Sequence, residues 1–196
     1  MKNFSVNVNG KEYWISRSVA VAGFIFKQKG DDLYALIEKR GKGAADYQGY
    51  WCFVCGYVDF DESVEQALQR ESREELGFEI DINKLKFVKI NSSPSENHQN
   101  ITIHYIYFAD EDENFDLKKA KGGEKDEIAE VKWFKIGEIH DNELRINTYD
   151  IMAEDWAFDH EKRMIEHLSL YYNLQYGNEK EEKKGNYIGF DPEYNK

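Results

Sequence analysis

Three glutamates, Glu71, Glu74 and Glu75, lie close together on the wrong side of one predicted helix. At ~100° per residue, Glu71 follows Ala67 and Leu68 by one turn, which places it inside the apolar arc of that helix. Glu75 stacks on Glu71 one turn later, and Glu74 flanks both. Carboxylates on a buried face are unfavourable, because like charges repel and ionised groups lose solvation. A divalent cation removes both costs, and such oxygen ligands favour Mg²⁺ or Mn²⁺.

The alternative is an acidic helix whose charges are neutralised by its own arginines. Arg73 is predicted on the solvent side of the helix, and Arg70 lies on its flank. Neither arginine points at the apolar arc that contains Glu71. The pattern therefore favours a cation site over simple ion pairing.

The same glutamates belong to a longer pattern that starts at Gly56 and runs GYVDFDESVEQALQRESREELGF. This segment resembles the Nudix box, G-x5-E-x7-R-E-U-x-E-E-x-G-U, in which U is a bulky aliphatic residue. The one departure is Ser72, at a position that packs rather than reacts. So many fixed positions make this pattern far more specific than a lone glycine motif. The matching residues are Gly56, Glu62, Arg70, Glu71, Glu74, Glu75, Gly77 and Phe78.

The resemblance covers most of residues 17–176 and implies an α/β fold, the Nudix α/β/α sandwich with a mixed β-sheet between helices. The box, residues 56–78, would form a loop, a helix and a second loop. By the same resemblance, the three glutamates discussed above bind the Mg²⁺ or Mn²⁺ ions. The backbone carbonyl of Cys55 would be a further metal ligand.

Two other residues of the box have supporting roles by resemblance. Arg70 orients a glutamate by ion pairing and is counted among the catalytic residues, and Glu62 supports the loop or lies in the outer shell of the metal. Hydrolysis of a diphosphate needs an attacking water, charge neutralisation and a stabilised leaving group, and divalent ions can serve all three needs. We expect Glu71 or Glu74 to accept the water proton and Glu75 to be the firmest metal ligand.

Further site residues are expected outside the box. Glu127, just before the last predicted strand, is the candidate for an additional metal-binding acid, and Glu124 and Asp126 are its rivals. A solvated acidic loop explains these three acids equally well. Lys39 and Arg40 end a strand ahead of the box and are candidates for contacts with substrate phosphate, although isolated basic residues are equally typical of a surface.

The substrate is only loosely indicated. Pro94 lies close to where a proline marks ADP-ribose pyrophosphatases in this family, and Phe158–His160 resembles a segment of some nucleotide-sugar and ADP-ribose members. Ordinary helix packing explains the second segment as well. Tyr47, Trp51 and Tyr105 could stack on a base, but most aromatic residues of so aromatic a chain must be core, so none is assigned.

The resemblance therefore predicts a Mg²⁺-dependent Nudix hydrolase that cleaves a diphosphate linkage in a nucleoside diphosphate derivative, with ADP-ribose and nucleotide sugars as candidates. The alternatives are a pyrophosphohydrolase of nucleoside triphosphates or dinucleoside polyphosphates, and a non-catalytic, nucleotide-sensing Nudix-like regulator. A plain cation-binding module is a third function class. Because all box acids are present, the enzyme is favoured.

Periodicity predicts the elements that must position these residues. Asn9-Gly10 predicts a type I′ hairpin turn. Ser63 with Gln66 predicts a capping box at the start of the site helix, and Gly77 predicts the end of that helix. We expect one domain over residues 1–177, including the hairpin at 1–16, and a charged tail over 178–196. The predicted strands are Phe4–Val8, Lys11–Ser16, Val19–Gln28, Leu33–Arg40, Trp51–Val58, Leu85–Asn91, Ile101–Ala109 and Ile128–Ile136, and the predicted helices are Ser63–Leu76 and Met152–Tyr176.

Cys52 and Cys55 have the C-x-x-C spacing of a redox pair or of half a zinc site. Their neighbours predict a strand, on which residues three apart point to opposite faces. No second cysteine pair exists to complete a zinc site. Two reduced, buried thiols are therefore the preferred interpretation.

The net charge of −12 makes general nucleic-acid binding unfavourable, because such a field repels phosphate backbones. No apolar stretch reaches the length of a membrane span, and the start of the chain lacks the apolar core of a secretory signal. We therefore expect a cytoplasmic protein that acts on a small nucleotide-like molecule, without membrane or nucleic-acid partners. The edge of the N-terminal hairpin is a candidate homodimer contact.

Overall fold

The computed structural model describes residues 3–109 and 126–176. Eleven strands, three α-helices, one π-helical turn and one 3₁₀ turn lie in these ranges. In chain order they are β1 Phe4–Val8, β2 Lys11–Ile15, β3 Ser18–Lys29, β4 Asp32–Arg40, β5 Trp51–Cys52, β6 Val54–Tyr57, α1 Val64–Glu71, the π-helical turn Ser72–Leu76, the 3₁₀ turn Ile82–Lys84, β7 Lys86–Asn91, β8 Asn100–Ala109, β9 Ile128–His140, β10 Glu143–Ile146, α2 Thr148–Met152, α3 His160–Leu168 and β11 Asn173–Tyr176.

Nine of these strands form one mixed sheet in the order β11-β10-β9-β4-β3-β8-β7, with β5 paired to β4 and β6 paired to β3. The pairs β3–β8 and β10–β11 are parallel, and the other pairs are antiparallel. Successive residues of a strand face opposite sides of the sheet, so the central strands β3 and β4 are apolar on both sides. This pattern is typical of a sheet that is covered on both faces.

Each face of the sheet carries its own apolar core. On one face, α1 and the turn after it place Ala67, Leu68 and Leu76 against Val21 and other apolar residues of the central strands. On the opposite face, α2 and α3 contribute Ile151, Met164 and Leu168 to a second core, which includes Phe24 and Phe26 of β3. The predicted α/β/α sandwich with a mixed sheet is therefore confirmed.

Three buried histidines lie in the second core. His104 Nδ1 and His167 Nε2 are joined by a hydrogen bond of 2.9 Å, and both rings pack on Phe24. His160 Nδ1 accepts a hydrogen bond of 3.0 Å from the backbone N–H of Phe53. A histidine that accepts from a backbone N–H must be neutral at that nitrogen, so this part of the core is uncharged.

The N-terminal hairpin is confirmed as a separate two-stranded sheet, β1 with β2. Asn9 and Gly10 have φ of 54° and 83°, as a type I′ turn requires. Trp14 is 73% exposed on this hairpin. Among the described residues, no helix has the length and apolar character needed to cross a bilayer.

The predicted helix Met152–Tyr176 is wrong, because the segment holds the end of α2, a loop, α3 and the strand β11. The backbone of Trp51 draws the loop against β5: its N–H donates to the Asp155 carbonyl (2.8 Å), and its carbonyl accepts from Ala157 (2.9 Å). Phe158 and Asp159 then adopt left-handed φ of 61° and 53°. A tertiary contact thus overrides the helical periodicity.

The prediction that Cys52 and Cys55 point to opposite faces is also wrong. The strand is interrupted at Phe53, so β5 and β6 are separate elements and the two thiols hydrogen-bond to each other. Both are free thiols; Cys52 is buried, and Cys55 is half-buried rather than buried. Side chains do not alternate regularly between the two faces here, because the Phe53 N–H donates to the His160 ring instead of to a neighbouring strand.

Candidate active site

The site helix begins with the predicted capping box. The Ser63 Oγ accepts from the backbone N–H of Gln66 (3.3 Å), and the Gln66 side chain accepts from the backbone N–H of Ser63 (2.8 Å). Gly77 ends the element in the left-handed conformation, with φ of 68°. The helical segment is thus fixed at both ends by local contacts that the sequence predicted.

The helix does not stay α-helical over the glutamates. After Glu71 it widens into the π-helical turn Ser72–Leu76, in which the N–H of Gly77 bonds to the Ser72 carbonyl. π-Turns inside helices occur often at functional sites. Their wider turn keeps residues four apart in line, so Glu75 lies above Glu71.

The carboxylates face the sheet to different degrees. Glu75 is only 8% exposed, and Glu71 is half-buried, so both lie on the inner side as periodicity predicted. Glu74 is exposed at the rim of the same cluster. Burial is the largest cause that raises the pKa of the Glu71 carboxyl. Burial and then the Glu38 carboxyl raise the pKa of Glu75 well above its ordinary range.

Arg70 ties the box together from the flank of the helix. Its Nη2 donates to Glu62 Oε1 (2.7 Å) and to the Tyr57 carbonyl (2.9 Å). Its Nη1 donates to Glu71 Oε1 (2.8 Å) and Glu74 Oε2 (3.3 Å). The hydrogen bond from Arg70 is the largest cause that lowers the pKa of Glu62. Arg70 therefore orients two of the clustered glutamates through one guanidinium group.

The start of the box leaves space for one of these glutamates. A Cβ atom added at Gly56 would collide with the Glu71 carboxylate, so that carboxylate lies directly against the Cys55–Gly56 backbone. Cys55 is in β6, paired with Ala22 of β3. A residue with no side chain is thus required where Glu71 approaches the main chain.

Glu38 is a buried acid beside this cluster that sequence reasoning missed. It is fully buried on β4, accepts a hydrogen bond from Cys52 Sγ (3.4 Å) and contacts the Glu75 carboxyl. Burial, followed by the neighbouring Cys55, raises its pKa to about 8. Glu38 Oε2 and Glu75 Oε2 are buried without hydrogen-bond partners in the described part of the chain. The sequence does hold a signal for Glu38. It follows Leu36 by two residues on a predicted strand, so it should face the same side of the sheet as that apolar residue.

The two basic residues predicted for substrate phosphate are separated by the sheet. Arg40 lies on the same face of β4 as Glu38 and binds Asp46 through its carboxylate (2.8 Å) and its carbonyl (2.9 Å). The neighbouring Lys39 points to the opposite face, where its Nζ lies 5.3 Å from the ring centre of Trp51. Arg40 therefore lies on the side of the carboxylates, and Lys39 does not.

The acids predicted outside the box lie at the start of β9. The backbone carbonyl of Glu127 accepts from the Gly41 N–H (2.5 Å), and that of Asp126 accepts from the Gly43 N–H (3.1 Å). Glu127 is half-buried, and Asp126 is exposed. Glu124 lies outside the described residues. Both described acids therefore lie beside the end of β4 that carries Arg40.

A model of the NUDIX domain matches residues 16–154 of this chain. The chain belongs to the Nudix hydrolase family. An ADP-ribose pyrophosphatase of Methanocaldococcus jannaschii is 25% identical over 186 residues, 85% of this Nudix chain and 91% of the archaeal one.

Two other relatives are matched over a smaller share of their own length. A Caenorhabditis elegans protein named among the nudix hydrolases is 23% identical over 67% of this chain, and the Escherichia coli CTP pyrophosphohydrolase is 46% identical over 24% of it. The Nudix chain spans 32% and 41% of those two proteins.

Solved structures agree with the fold. The NUDIX domain of Shewanella oneidensis NrtR, solved in complex with ADP ribose, superimposes with a TM-score of 0.59 over 80% of this Nudix chain and 89% of that domain, at 17% identity. NrtR has also been solved with a 27mer DNA, with a TM-score of 0.57 at 18% identity over 78% of this chain and 61% of that chain. At this identity the likeness concerns the fold alone.

The donor set of this Nudix protein fits a divalent cation. Glu71 and Glu75 supply hard carboxylate oxygens on a buried face, and one oxygen of Glu75 has no partner within residues 3–109 and 126–176. Across those same ranges, no three His, Cys, Asp or Glu side chains are already arranged to hold a metal ion. The reason is visible in the contacts: Glu71 and Glu74 are both turned toward Arg70. The burial of Glu71 and Glu75 and their oxygen-donor chemistry nevertheless suit a hard divalent cation.

Proposed function

We propose that this Nudix protein is a hydrolase that uses a divalent cation, Mg²⁺ or Mn²⁺, to cleave a diphosphate linkage in a nucleotide-like substrate. One observation carries the proposal: Glu75 is buried against the sheet with an unpartnered carboxylate oxygen, and Glu71 lies beside it. Two such groups repel each other and lose solvation, and the Arg70 guanidinium bonds Glu71 but not Glu75. A bound cation offsets both costs.

Glu71, Glu74 and Glu75 would hold the cation, and the Cys55 carbonyl would add a neutral oxygen. Glu127 is retained as a further ligand from outside the box, with Asp126 as its described rival. When bound, a divalent cation lowers the pKa of a coordinated water and neutralises charge on phosphoryl oxygens. Oxygen donors of this kind favour Mg²⁺ or Mn²⁺ over softer metals.

The protein's own groups do the remaining work. Arg70 holds Glu71 by a 2.8 Å bond and Glu74 by a 3.3 Å bond, which limits the positions that each carboxylate can take. Glu62 accepts from the backbone N–H of Asp59 (2.9 Å) and so holds the loop before the helix. Glu71 or Glu74 is proposed to take the proton of the attacking water as the P–O bond of the leaving group breaks.

The substrate class rests on relatives. The archaeal relative is named for ADP-ribose, and the NrtR domain was solved with ADP ribose. We propose a nucleoside diphosphate derivative, with ADP-ribose or a nucleotide sugar as the first compounds to test. Nucleoside triphosphates and dinucleoside polyphosphates are the second group.

A nucleotide-sensing regulator is the second candidate function, favoured by the likeness to NrtR, which has been solved with DNA. Against it, every acid of the box is present and the net charge of −12 opposes approach to a phosphate backbone. We therefore propose a protein with a small-molecule substrate and no nucleic-acid partner. A cytoplasmic location stays a prediction of the sequence.

Product release with Mg²⁺ from ADP-ribose, a nucleotide sugar, a dinucleoside polyphosphate and a nucleoside triphosphate tests the proposal. We expect turnover of at least one compound, loss of it with chelator, and a fall of about 10²-fold or more in kcat for Glu74→Gln and Glu75→Gln. Glu79→Gln, an exposed acid just beyond the turn, is the matched control and should keep full activity. Nucleotide binding without any turnover would support the regulator instead.

A further inference from the structure

Three aromatic rings gather next to Arg40, at the end of β4. Tyr47 packs edge-on against Tyr50, with ring centres 5.7 Å apart, and against Phe158, at 4.9 Å. The Arg40 guanidinium carbon lies 5.1 Å from the ring centre of Phe158. We call Tyr47, Tyr50 and Phe158 the aromatic platform. Two of its rings are open to solvent, since Tyr47 is 46% exposed and Tyr50 is 38% exposed.

A continuous set of contacts joins this platform to the carboxylates. Phe158 lies under Arg40, and the Arg40 side chain hydrogen-bonds Cys52. Cys52 in turn donates to Glu38, which contacts Glu75. The order along this path is acidic residues, a guanidinium group and then aromatic rings. Cys52 and Glu38 are fully buried, so this path fixes the relative positions of the two groups and is not the route of a ligand. A nucleotide has the same order in its own parts, because phosphates are followed by the sugar and the base.

The loop that carries the two tyrosines is held in place. Gly41 and Gly43 donate backbone hydrogen bonds to the start of β9, and Gln48 Nε2 donates to the Lys42 and Ala44 carbonyls (3.0 and 2.9 Å). A Cβ atom at Gly41 would collide with the backbone of β9, so this close approach requires glycine. These hydrogen bonds fix the loop that carries the rings, so less conformational entropy is lost when a ligand binds to them.

The backbone also adopts costly conformations at the platform. Tyr47 has φ of 48° and Phe158 has φ of 61°, both in the left-handed region that bulky residues rarely adopt. Such outliers cost about 1–3 kcal/mol each and persist where the surrounding structure enforces them. The Tyr47 ring held in this way is still 46% exposed, and a planar ligand stacked on it would cover its free face.

We propose that the aromatic platform stacks on the base of the nucleotide substrate, with Arg40 beside the adjoining phosphate. The proposal rests on the proposed function for its substrate class and assigns the base end of that substrate. Stacking on tyrosine tolerates different bases, because every base has a π-face. The platform therefore selects nucleotides over base-free phosphates rather than one base over another.

Equilibrium binding of AMP and of ribose 5-phosphate, measured by calorimetry with Mg²⁺ present, separates the base from the phosphate. For Tyr47→Leu and Tyr50→Leu we expect the Kd of AMP to rise about tenfold each, since a stacked base contributes about 1–3 kcal/mol. Tyr47→Phe and Tyr50→Phe keep the ring and should stay close to wild type. Tyr149→Leu, at an exposed tyrosine on α2, is the control on another surface. The Kd of ribose 5-phosphate should not change in any variant.

Several outcomes would overturn the platform. These are an unchanged AMP Kd in both leucine variants, an equal loss for AMP and ribose 5-phosphate, and no AMP binding by the wild type. Thermal melting checks that each variant is folded, and Tyr50→Leu, which lies at an ordinary φ, keeps the test open if Tyr47→Leu does not fold. Ring-dependent AMP binding without hydrolysis would refute the proposed function and leave the platform standing.

Discussion

At the scale of single residues, burial of charge is the most informative property of this chain. The inward position of Glu71 and Glu75 could be read from periodicity, because a regular helix fixes which residues share a face. Glu38 was missed because its contact with Glu75 joins two elements that lie far apart in the sequence. The contact between the two thiols was missed for a similar reason, since it depends on how His160 interrupts a strand.

Gly56→Ala should weaken cation binding about tenfold, because the new methyl group displaces the Glu71 carboxylate from the backbone beside it. Titration with Mn²⁺, followed by its paramagnetic signal, measures this affinity directly. In a Glu71→Ala background the same glycine substitution should cost almost nothing. If the two effects simply add, the proposed coupling between Gly56 and Glu71 is absent.

Acid should destabilise the fold through the buried histidines. Burial is the first cause that lowers the pKa of His104 to about 2, of His160 to about 3 and of His167 to about 4. Below pH 6.5 these three positions therefore bind more protons in the unfolded chain than in the folded one, so their contribution to stability is full above 6.5 and is lost as the pH drops toward these values. Each histidine contributes at most about 1.4 kcal/mol per pH unit in that window.

The measurement is the free energy of unfolding in urea between pH 7 and pH 5. His167→Gln, which can still bond to His104, should make stability fall less steeply with acid than in wild type, because one histidine no longer titrates while Glu38 and Glu75, whose raised pKa values act in the opposite direction in this window, are unchanged. His140→Gln, at an exposed histidine, is the control. An unchanged slope in His167→Gln would show that the buried histidines do not govern acid stability.

At the scale of elements, local sequence signals predicted the ends of helices and the turns between strands better than the interiors of helices. The capping box at Ser63, the stop at Gly77 and the Asn9-Gly10 turn each depend on neighbouring residues, and all three are confirmed. The π-helical turn inside the site helix carries no such local signal. The segment Met152–Tyr176 was mispredicted because its pairing with β5 and β10 depends on distant parts of the chain.

Ser72→Ala should raise the melting temperature. The Ser72 hydroxyl is buried without a hydrogen-bond partner in the described part of the chain, so its removal abolishes a desolvation cost of about 1–3 kcal/mol. Alanine also has the higher helix propensity. Differential scanning calorimetry measures the change, and a lower melting temperature would indicate that the hydroxyl has a partner.

Ser63→Ala should act in the opposite direction on the same helix. It removes the side-chain half of the capping box and should cost about 1 kcal/mol of stability. Ser92→Ala, at an exposed serine in the β7–β8 loop, is a matched control. Equal melting temperatures for Ser63→Ala and wild type would mean that the cap contributes nothing to the folded state.

At the scale of the whole molecule, the sandwich and the hairpin are separate units. The layered architecture could be predicted because its strands and helices alternate along the chain as the family pattern requires. The order of strands in the sheet could not be predicted. The pairing of β11, β10 and β9 depends on contacts between distant segments, which leave no periodic pattern in the sequence. The N-terminal hairpin forms no ladder with the nine-stranded sheet.

Deletion of residues 1–16 should leave the sandwich folded with a nearly unchanged melting temperature, because the hairpin pairs only with itself. We propose that the hairpin, with its exposed Trp14 and free strand edges, joins two copies of the chain. Sedimentation should then show a dimer for the full chain and a monomer for the deletion. A Trp14→Ser variant, which keeps both strands of the hairpin, should also sediment as a monomer. A full chain that sediments as a monomer would refute the dimer.

The widened turn at Ser72–Leu76 has a consequence for insertions and deletions. In a π-helical turn each backbone N–H bonds to the carbonyl five residues earlier, not four. The turn therefore accommodates one residue more than an α-helical turn does. Removing that residue would restore regular α-helical bonding and leave the residues downstream at about the same angle to α1, because five residues of a π-turn and four of an α-turn cover nearly the same rotation. A second deletion would rotate Leu76 by ~100° out of its core and take Gly77 from its capping position, so this segment can lose one residue and no more.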